Sequence, residues 1–409
     1  MAFLVSPGVQ VNEVDLTNVV PAVATSIGAI AGAFEKGPVS SIVNISSEEE
    51  LVEIFGKPKT TGNQFETFFS AANFLKYTDS LKVVRAESAI VNAGANSGIL
   101  IRDLDHYDAS FSTGQGSHGE WAARTAGTWG NSLRVEICAE SSAYEQDLST
   151  NNLVNTSTSA VGDTSIVVDD ADASGYAFNV GDLISFYSDT ANTVSVDDFN
   201  EYQVTAINTS TNALTIRLKD DPAGAGLQTA IPDDSKIKRR WKYADLFSGA
   251  PGTSEYNTNN GRGSNDELHV VVADADGKIT GFDTDTAGNR TKAVIETFGN
   301  MSKNSSAKSP QGDSIYYPDV IRAKSSFIYW TDHISAGSNW GTDTTTTYTE
   351  VIPITIDTLT GGTDDYSTTA GEIEVAYDKF KDTESEDINL VIGGSSSIVA
   401  DTSTGHDTH

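Results

Sequence analysis

Between Thr25 and Ala86 the chain spells a strand, two helices and a second strand, and this order constrains the fold more than any other feature. TSIGAIAGAF is a run of small and aliphatic residues that reads as a buried strand with close backbone approach. In ISSEEELVEIFGKP, Ser47 and Glu50 have capping-box spacing, Gly56 can stop the helix and Pro58 lies beyond it. In NQFETFFSAANFLKY, Phe65, Phe68, Phe69, Ala72 and Leu75 predict one apolar helical face. LKVVRA, residues 81–86, reads as the next buried strand. Strand, helices, strand is a crossover unit, so this part of the chain is α/β.

The pattern then changes. AIVNAGANSG marks a boundary near residues 88–99, and residues 100–240 hold no long helical pattern. TSIVVDD, DLISFYS, NEYQVTAI and NALTIRLKD are short strand candidates with Asn, Asp and Gly between them, a spacing that predicts a β-sandwich or small barrel. Residues 150–235 form a module of their own, bounded by STNNLVNTSTS and IPDDSKIKRRW. From residue 241, DELHVVVADADGKITGF predicts a hairpin turning at Asp276-Gly277. KAVIETFGNM predicts a helix with Val294, Ile295, Phe298 and Met301 on one side, and SSFIYWTDH and VIPITIDTL predict strands. Thr369 and Glu372 form another capping box, opening a helix with Ile373, Ala376, Tyr377 and Phe380 inward, and INLVIGG, residues 388–394, follows as a strand. The α/β pattern has returned.

The expected fold class is therefore α+β and multidomain: a discontinuous α/β core domain with inserted β-rich outer domains, sandwich or barrel, and an extended N-terminal arm. At 409 residues there is room for about two to four domains. The expected division is 1–20 as the arm, 21–98 as the first part of the core, 99–149 as a β-rich domain and 150–240 as an inserted β-rich module. Residues 241–409 return to the β domain and supply the second part of the core, incomplete at its C-terminus. The chain stops after a Ser-rich loop where a helix could begin, so the native product is expected to run further.

Lys plus Arg is 26 against 57 Asp plus Glu, a net charge of -31, which repels phosphate backbones and argues against nucleic acid as a partner. The densest basic segment, Lys236, Lys238, Arg239, Arg240 and Lys242, is short and flanked by acids, and reads as a polar strand end. The single cysteine, Cys138, lies in LRVEICAE and reads as a buried, inert thiol. GQGSHG at 114–119 fits G-x-G-x-x-G, but EWAARTAGTWG after it is broken by Gly127 and Gly130, so a polar loop is expected and no dinucleotide. VADADG, residues 272–277, departs from a calcium loop at Val272 and at Asp283. Of His106, His118, His269, His333, His406 and His409, only the last two are close, with no cysteine to support a zinc site. No catalytic, cofactor or metal residues are assigned, and no enzyme activity is expected.

Near the N-terminus, PGVQVNEVD alternates apolar and polar residues: Val9, Val11 and Val14 against Gln10, Asn12 and Glu13. A signal peptide does not fit, because Glu13 and Asp15 precede the apolar run and no Lys or Arg does. A membrane span does not fit, because the uncharged run from Val19 to Phe34 is short of ~20 apolar residues and contains Pro21, Thr25 and Ser26. The pattern itself suits equally an edge strand on its own chain and an arm that pairs with another chain.

PGVQVNEVDLT followed by GAIAGAFEKGPV resembles the N-terminus of contractile phage tail sheath proteins. GTWGNSLRVEI, residues 127–137, resembles the same family. LFSGAPGTSEYNTNNGRGSNDELHVVVADADGKITG, with VIETFGNMSK and YYPDVI after it, is similar to the sheath segment of large myophages. These blocks cover most of 1–145 and 240–395. The resemblance implies a structural subunit, stacked in rings as a helical homo-oligomer around the tail tube, that contracts to drive the tube through the host envelope. Implied partners are further copies of the chain, the tail tube protein, and the baseplate and tail terminator proteins. Implied localisation is the virion tail, assembled in the host cytoplasm. The resemblance also implies that Val5, Pro7, Gly8, Val9, Gln10, Val11, Asn12, Glu13 and Val14 form an arm that adds a strand to a neighbour's sheet. The sheath of a bacterial contractile injection system and a surface adhesin or decoration protein are the competing readings.

Overall fold

In the computed structural model, residues 26–394 are described apart from 149–150, 157–158, 220, 222, 282, 285–289, 292, 336 and 350–353. The arm residues Val5 to Val14 lie outside the described residues. The structure is mixed α/β, with several sheets and short helices. Its described residues divide into two compact units, 26–88 with 366–394, and 89–365.

In the first unit a four-stranded sheet runs in the order Leu390–Val391, Gly28–Gly32, Leu81–Arg85, Ile42–Ile45. The first three strands are parallel and Ile42–Ile45 is antiparallel, a strand the sequence pattern missed. Gly28–Gly32 is buried on both faces. Ile30 packs with Phe34, Phe68 and Ala71 on one side, and Ala29 and Ala31 pack with Ile373, Ala376 and Phe380 on the other. The two glycines make the first contact close. A methyl at Gly28 would strike the Phe74 ring, and one at Gly32 would sit 2.7 Å from Thr67 Cγ2. These contacts set the rotation of helix Gln64–Leu75. Gln64, Thr67, Phe68, Ala71 and Ala72 face inward, while Phe69, expected on the apolar face, is 48% exposed.

Helix Glu48–Phe55 is capped much as expected. Ser47 Oγ accepts from Glu50 N, but the Glu50 carboxylate reaches one residue further back and accepts from Ser46 N and Oγ. Helix Ala370–Tyr377 has the full Thr369–Glu372 capping box.

In the second unit a central antiparallel sheet runs Ala293–Ser302, Glu267–Asp274, Leu133–Cys138, Ile354–Thr358. Two expectations fail here. Ala293–Ser302 is a strand, not a helix. Pairing jumps from Val270↔Phe298 to Leu268↔Met301, and from Val272↔Glu296 to Ala273↔Val294. Each jump leaves an extra residue on the long strand, which returns Phe298 and Met301 to one buried face at a spacing that imitates a helix. The turn at Asp276-Gly277 exists, with Gly277 at φ 70, but residues 278–281 are not its return strand; Ala293–Ser302 pairs there instead. Asp274 holds the turn, its carboxylate accepting from Ile279 N, Thr280 N and Thr280 Oγ1, with Ser132 Oγ as a further donor.

The β-rich module is a six-stranded antiparallel sheet in the order Glu145–Asp147, Lys236–Arg240, Leu183–Tyr187, Tyr202–Asn208, Ala213–Leu218, Ser165–Val167. Its edges meet through Val154, which bridges Val168, donates to Ser235 O and accepts from Asp234 N. The interior is filled by Leu148, Ile166, Phe186, Tyr202, Val204, Leu214, Ile216 and Ile237.

Candidate functional site: an open sheet edge and a buried charge network

Gly28–Gly32 is paired with Leu81–Arg85 along all five residues, from Gly28↔Leu81 to Gly32↔Arg85. On its other side only two pairs form, Gly28↔Leu390 and Ala29↔Val391. Asn389 ties this junction, donating from N to Ile27 O and accepting from Ile27 N at Oδ1. Past Ala29 the ladder is continued by one bond from Ile392 N to Ala29 O, and by Tyr377, whose hydroxyl donates to Ile392 O at 2.6 Å. The backbone N–H groups of Ala31 and Gly394 approach the Tyr377 hydroxyl oxygen. Leu390 and Val391 have no strand on their outer side among the described residues, and their side chains are 49% and 61% exposed. An edge with two exposed aliphatic residues and neither lysine nor proline within it is a template for strand addition.

Four of the five basic residues of the segment have acidic partners within the protein. Lys236–Arg240 is the second strand of the β-rich module. Lys238 pairs with Glu145, and Arg240 pairs with Glu201 and Asp245, as does Lys219. Arg239 is buried 3.7 Å from the buried Asp182, and donates to Ala177 O, Ser142 O and Gln146 Oε1. Lys242 pairs at 2.5 Å with Glu136 of the central sheet, whose carboxylate also meets Arg134 at 2.8 Å. Burial drives the Asp182 pKa up to about 6 against the pull of Arg239, and lowers that of Lys242 despite Glu136. This network joins the module to the central sheet, together with an apolar plug of Cys138, Ala143, Trp241, Tyr243, Ala244 and Val271. It engages Lys238, Arg239, Arg240 and Lys242 of the basic segment with acidic partners. Residues Val135–Ile216 contain no Lys, Arg or His.

Other sequence candidates separate. Cys138 is fully buried and burial raises its thiol pKa, as expected of an inert thiol. GQGSHG is a loop with Gly114, Gly116 and Gly119 at positive φ, and no helix follows it to receive a phosphate. His118 bonds Ser97, His106 bonds Arg102, and His269 stacks on Phe247 at 4.2 Å, so the described histidines are far from forming a common site. His406 and His409 lie outside the described residues. Among the described residues no group of three or more His, Cys, Asp or Glu could hold a metal ion, and no helix is long and apolar enough to cross a membrane.

Residues 25–86, the strand–helix–helix–strand segment, match the family model described as tail sheath protein Gp18 domain III N-terminal region. The chain is 37% identical over 115 residues to the tail sheath protein of Vibrio phage KVP40, covering 24% of this chain and 16% of that one. It is 35% identical over 103 residues to the tail sheath protein of Enterobacteria phage T4, covering 25% and 15%. Over these segments the chain is similar to phage tail sheath proteins. Its matches span under one-fifth of the length of these two sheath proteins. Among solved structures, the sheath tail protein Lin1278 from Listeria innocua is similar over 52% of this chain and 33% of its own, at 14% identity and a TM-score of 0.19, too low to establish a common fold.

Proposed function

We propose that this chain is a structural subunit of a contractile phage tail sheath. It assembles helically with copies of itself around the tail tube, and contracts to drive the tube through the host envelope. The observation that carries this reading is the family match over residues 25–86, which falls on the α/β unit with the open edge. The arm residues Val5, Pro7, Gly8, Val9, Gln10, Val11, Asn12, Glu13 and Val14 of one subunit add a strand beside Leu390–Val391 of a neighbour. Backbone bonds supply the affinity, and the alternation of Val9 and Val11 with Gln10 and Asn12 supplies the fit. A head-to-tail contact that does not close into a point group generates a helical assembly. Work comes from two packings of that assembly that differ in free energy, with no nucleotide and no chemical step. The tube, baseplate and tail terminator proteins are its partners, and the virion tail is its place after assembly in the host cytoplasm. The test is electron microscopy of the chain, and of the longest natural product that contains it, with and without residues 1–20. Hollow tubes that disappear with the arm support both assembly and strand addition. Tubes that persist relocate the connection, and folded monomers from every form at high concentration overturn the sheath reading.

A further inference from the structure

His333 sits in a closed hydrogen-bond chain that fixes its protonation state. Tyr317 is 1% exposed, and its oxygen accepts from Trp330 Nε1 at 2.9 Å. The same oxygen lies 2.6 Å from His333 Nδ1, and Tyr316 Oη lies 3.2 Å from His333 Nε2. A phenol has one proton to give. With Trp330 already donating to it, and His333 Nδ1 the acceptor it meets among the described residues, Tyr317 gives that proton to Nδ1. The ring is therefore the neutral Nε2–H tautomer, donating to Tyr316. The Trp330 ring packs 4.8 Å from the imidazole, and Gly341, at φ +77, comes so close that any side chain there would collide with Nε2. The charged groups around the cluster are Asp332, Asp319, Glu120 and Lys303. Asp332 favours the protonated ring, Asp319 and Glu120 face the two tyrosines, and the Lys303 ammonium lies 5.1 Å over the Trp340 ring. Burial outweighs Asp332 and lowers the pKa of His333.

We propose that His333 is a proton-operated latch on the segment Thr331–Thr349. A second proton can enter only at Nδ1. Tyr317 would then have to accept from both Trp330 and His333, and its own hydrogen would be orphaned in the core. The protonated ring must leave, and the segment that places Ile334 and Trp340 in the core leaves with it.

The test is an acid titration of the full chain from pH 8 to 4, following tryptophan emission and the histidine ring protons by NMR. The expected result is a cooperative change in emission with a midpoint below the ordinary histidine value near 6.5, coincident with titration of His333. His333→Gln is expected to abolish the transition. Tyr317→Phe frees Nδ1 and is expected to move the midpoint up toward 6.5, and Asp332→Asn to move it down. A His333 that titrates near 6.5 with no change in emission overturns the latch, and so does a transition unchanged in His333→Gln. If His333→Gln does not fold, the wild-type NMR titration and the direction of the Tyr317→Phe shift decide.

Discussion

Asp182 is ionised at neutral pH at a cost, because burial removes more stabilisation from its carboxylate than Arg239 returns. Its folded pKa, about 6, stands above the unfolded value of 3.8, so its contribution is most favourable below pH 3.8 and is lost as pH rises through 6. We predict that wild-type stability, measured against Asp182→Asn by urea unfolding at a series of pH values, falls by roughly 2–3 kcal/mol between pH 4 and 7. A difference that is flat or rises with pH would show that Arg239 dominates. At Gly28 the constraint is volume. Gly28→Ala must displace the Phe74 ring and is expected to cost about 1–3 kcal/mol in the same assay, with no loss for Gly371→Ala, where no atom lies within 4 Å. The small residues of GAIAG announced this close packing in the sequence. The orientation of helix Gln64–Leu75 was not announced, because the abundance of phenylalanine pointed to a face that includes Phe69, while the glycine contacts with Thr67 and Phe74 decide the rotation.

Local signals that carry a geometric requirement were legible, and signals resting on periodicity alone were not. The Thr369–Glu372 pair is a reciprocal cap that few other arrangements would reproduce, and the helix begins where it says. Thr369→Ala is expected to lower stability by about 1 kcal/mol, read as a shift in urea midpoint. Ala293–Ser302 shows the opposite case. Its two bulges put apolar residues three apart on one face, a spacing that also describes a helix. The second bulge includes Asn300 at φ 50, a left-handed position that asparagine tolerates and β-branched residues do not. Asn300→Gly should preserve stability within a few tenths of a kcal/mol, and Asn300→Val should cost about 1–2 kcal/mol. Equal effects of the two substitutions would mean that the bulge does not require the left-handed backbone. The short strand Ile42–Ile45 escaped notice because SSIVNI lies between two turns and has neither length nor alternation to mark it.

Assembly, if it proceeds as proposed, must bring together chains of net charge -31. Self-repulsion is screened as the Debye length falls from ~30 Å at 0.01 M salt to ~8 Å at 0.15 M. Association measured by sedimentation should therefore strengthen over that range, and strand addition at Leu390–Val391, made of backbone bonds, should survive it. Association that weakens with added salt would instead point to attractive charge pairs between subunits. The arm residues that would make this contact were legible as an alternating pattern, but a pattern cannot say which chain it pairs with. The Val154 closure of the β-rich module was invisible for a related reason, since sheet closure depends on contacts between distant segments. The entry and exit of that module have a different kind of significance. Glu145 and Arg240 are register partners in adjacent antiparallel strands, so the chain leaves and returns across a gap of about 5 Å. A tight two-residue turn spans such a gap. In genetic terms this is an in-frame slot: the roughly ninety residues between can be deleted, exchanged for another domain or replaced by a displayed peptide without moving the strands that flank the junction. Glu145 and Arg240 are the flanking positions that would have to change with their guest, because Lys238 and Glu201, which they pair with, depart with the cassette.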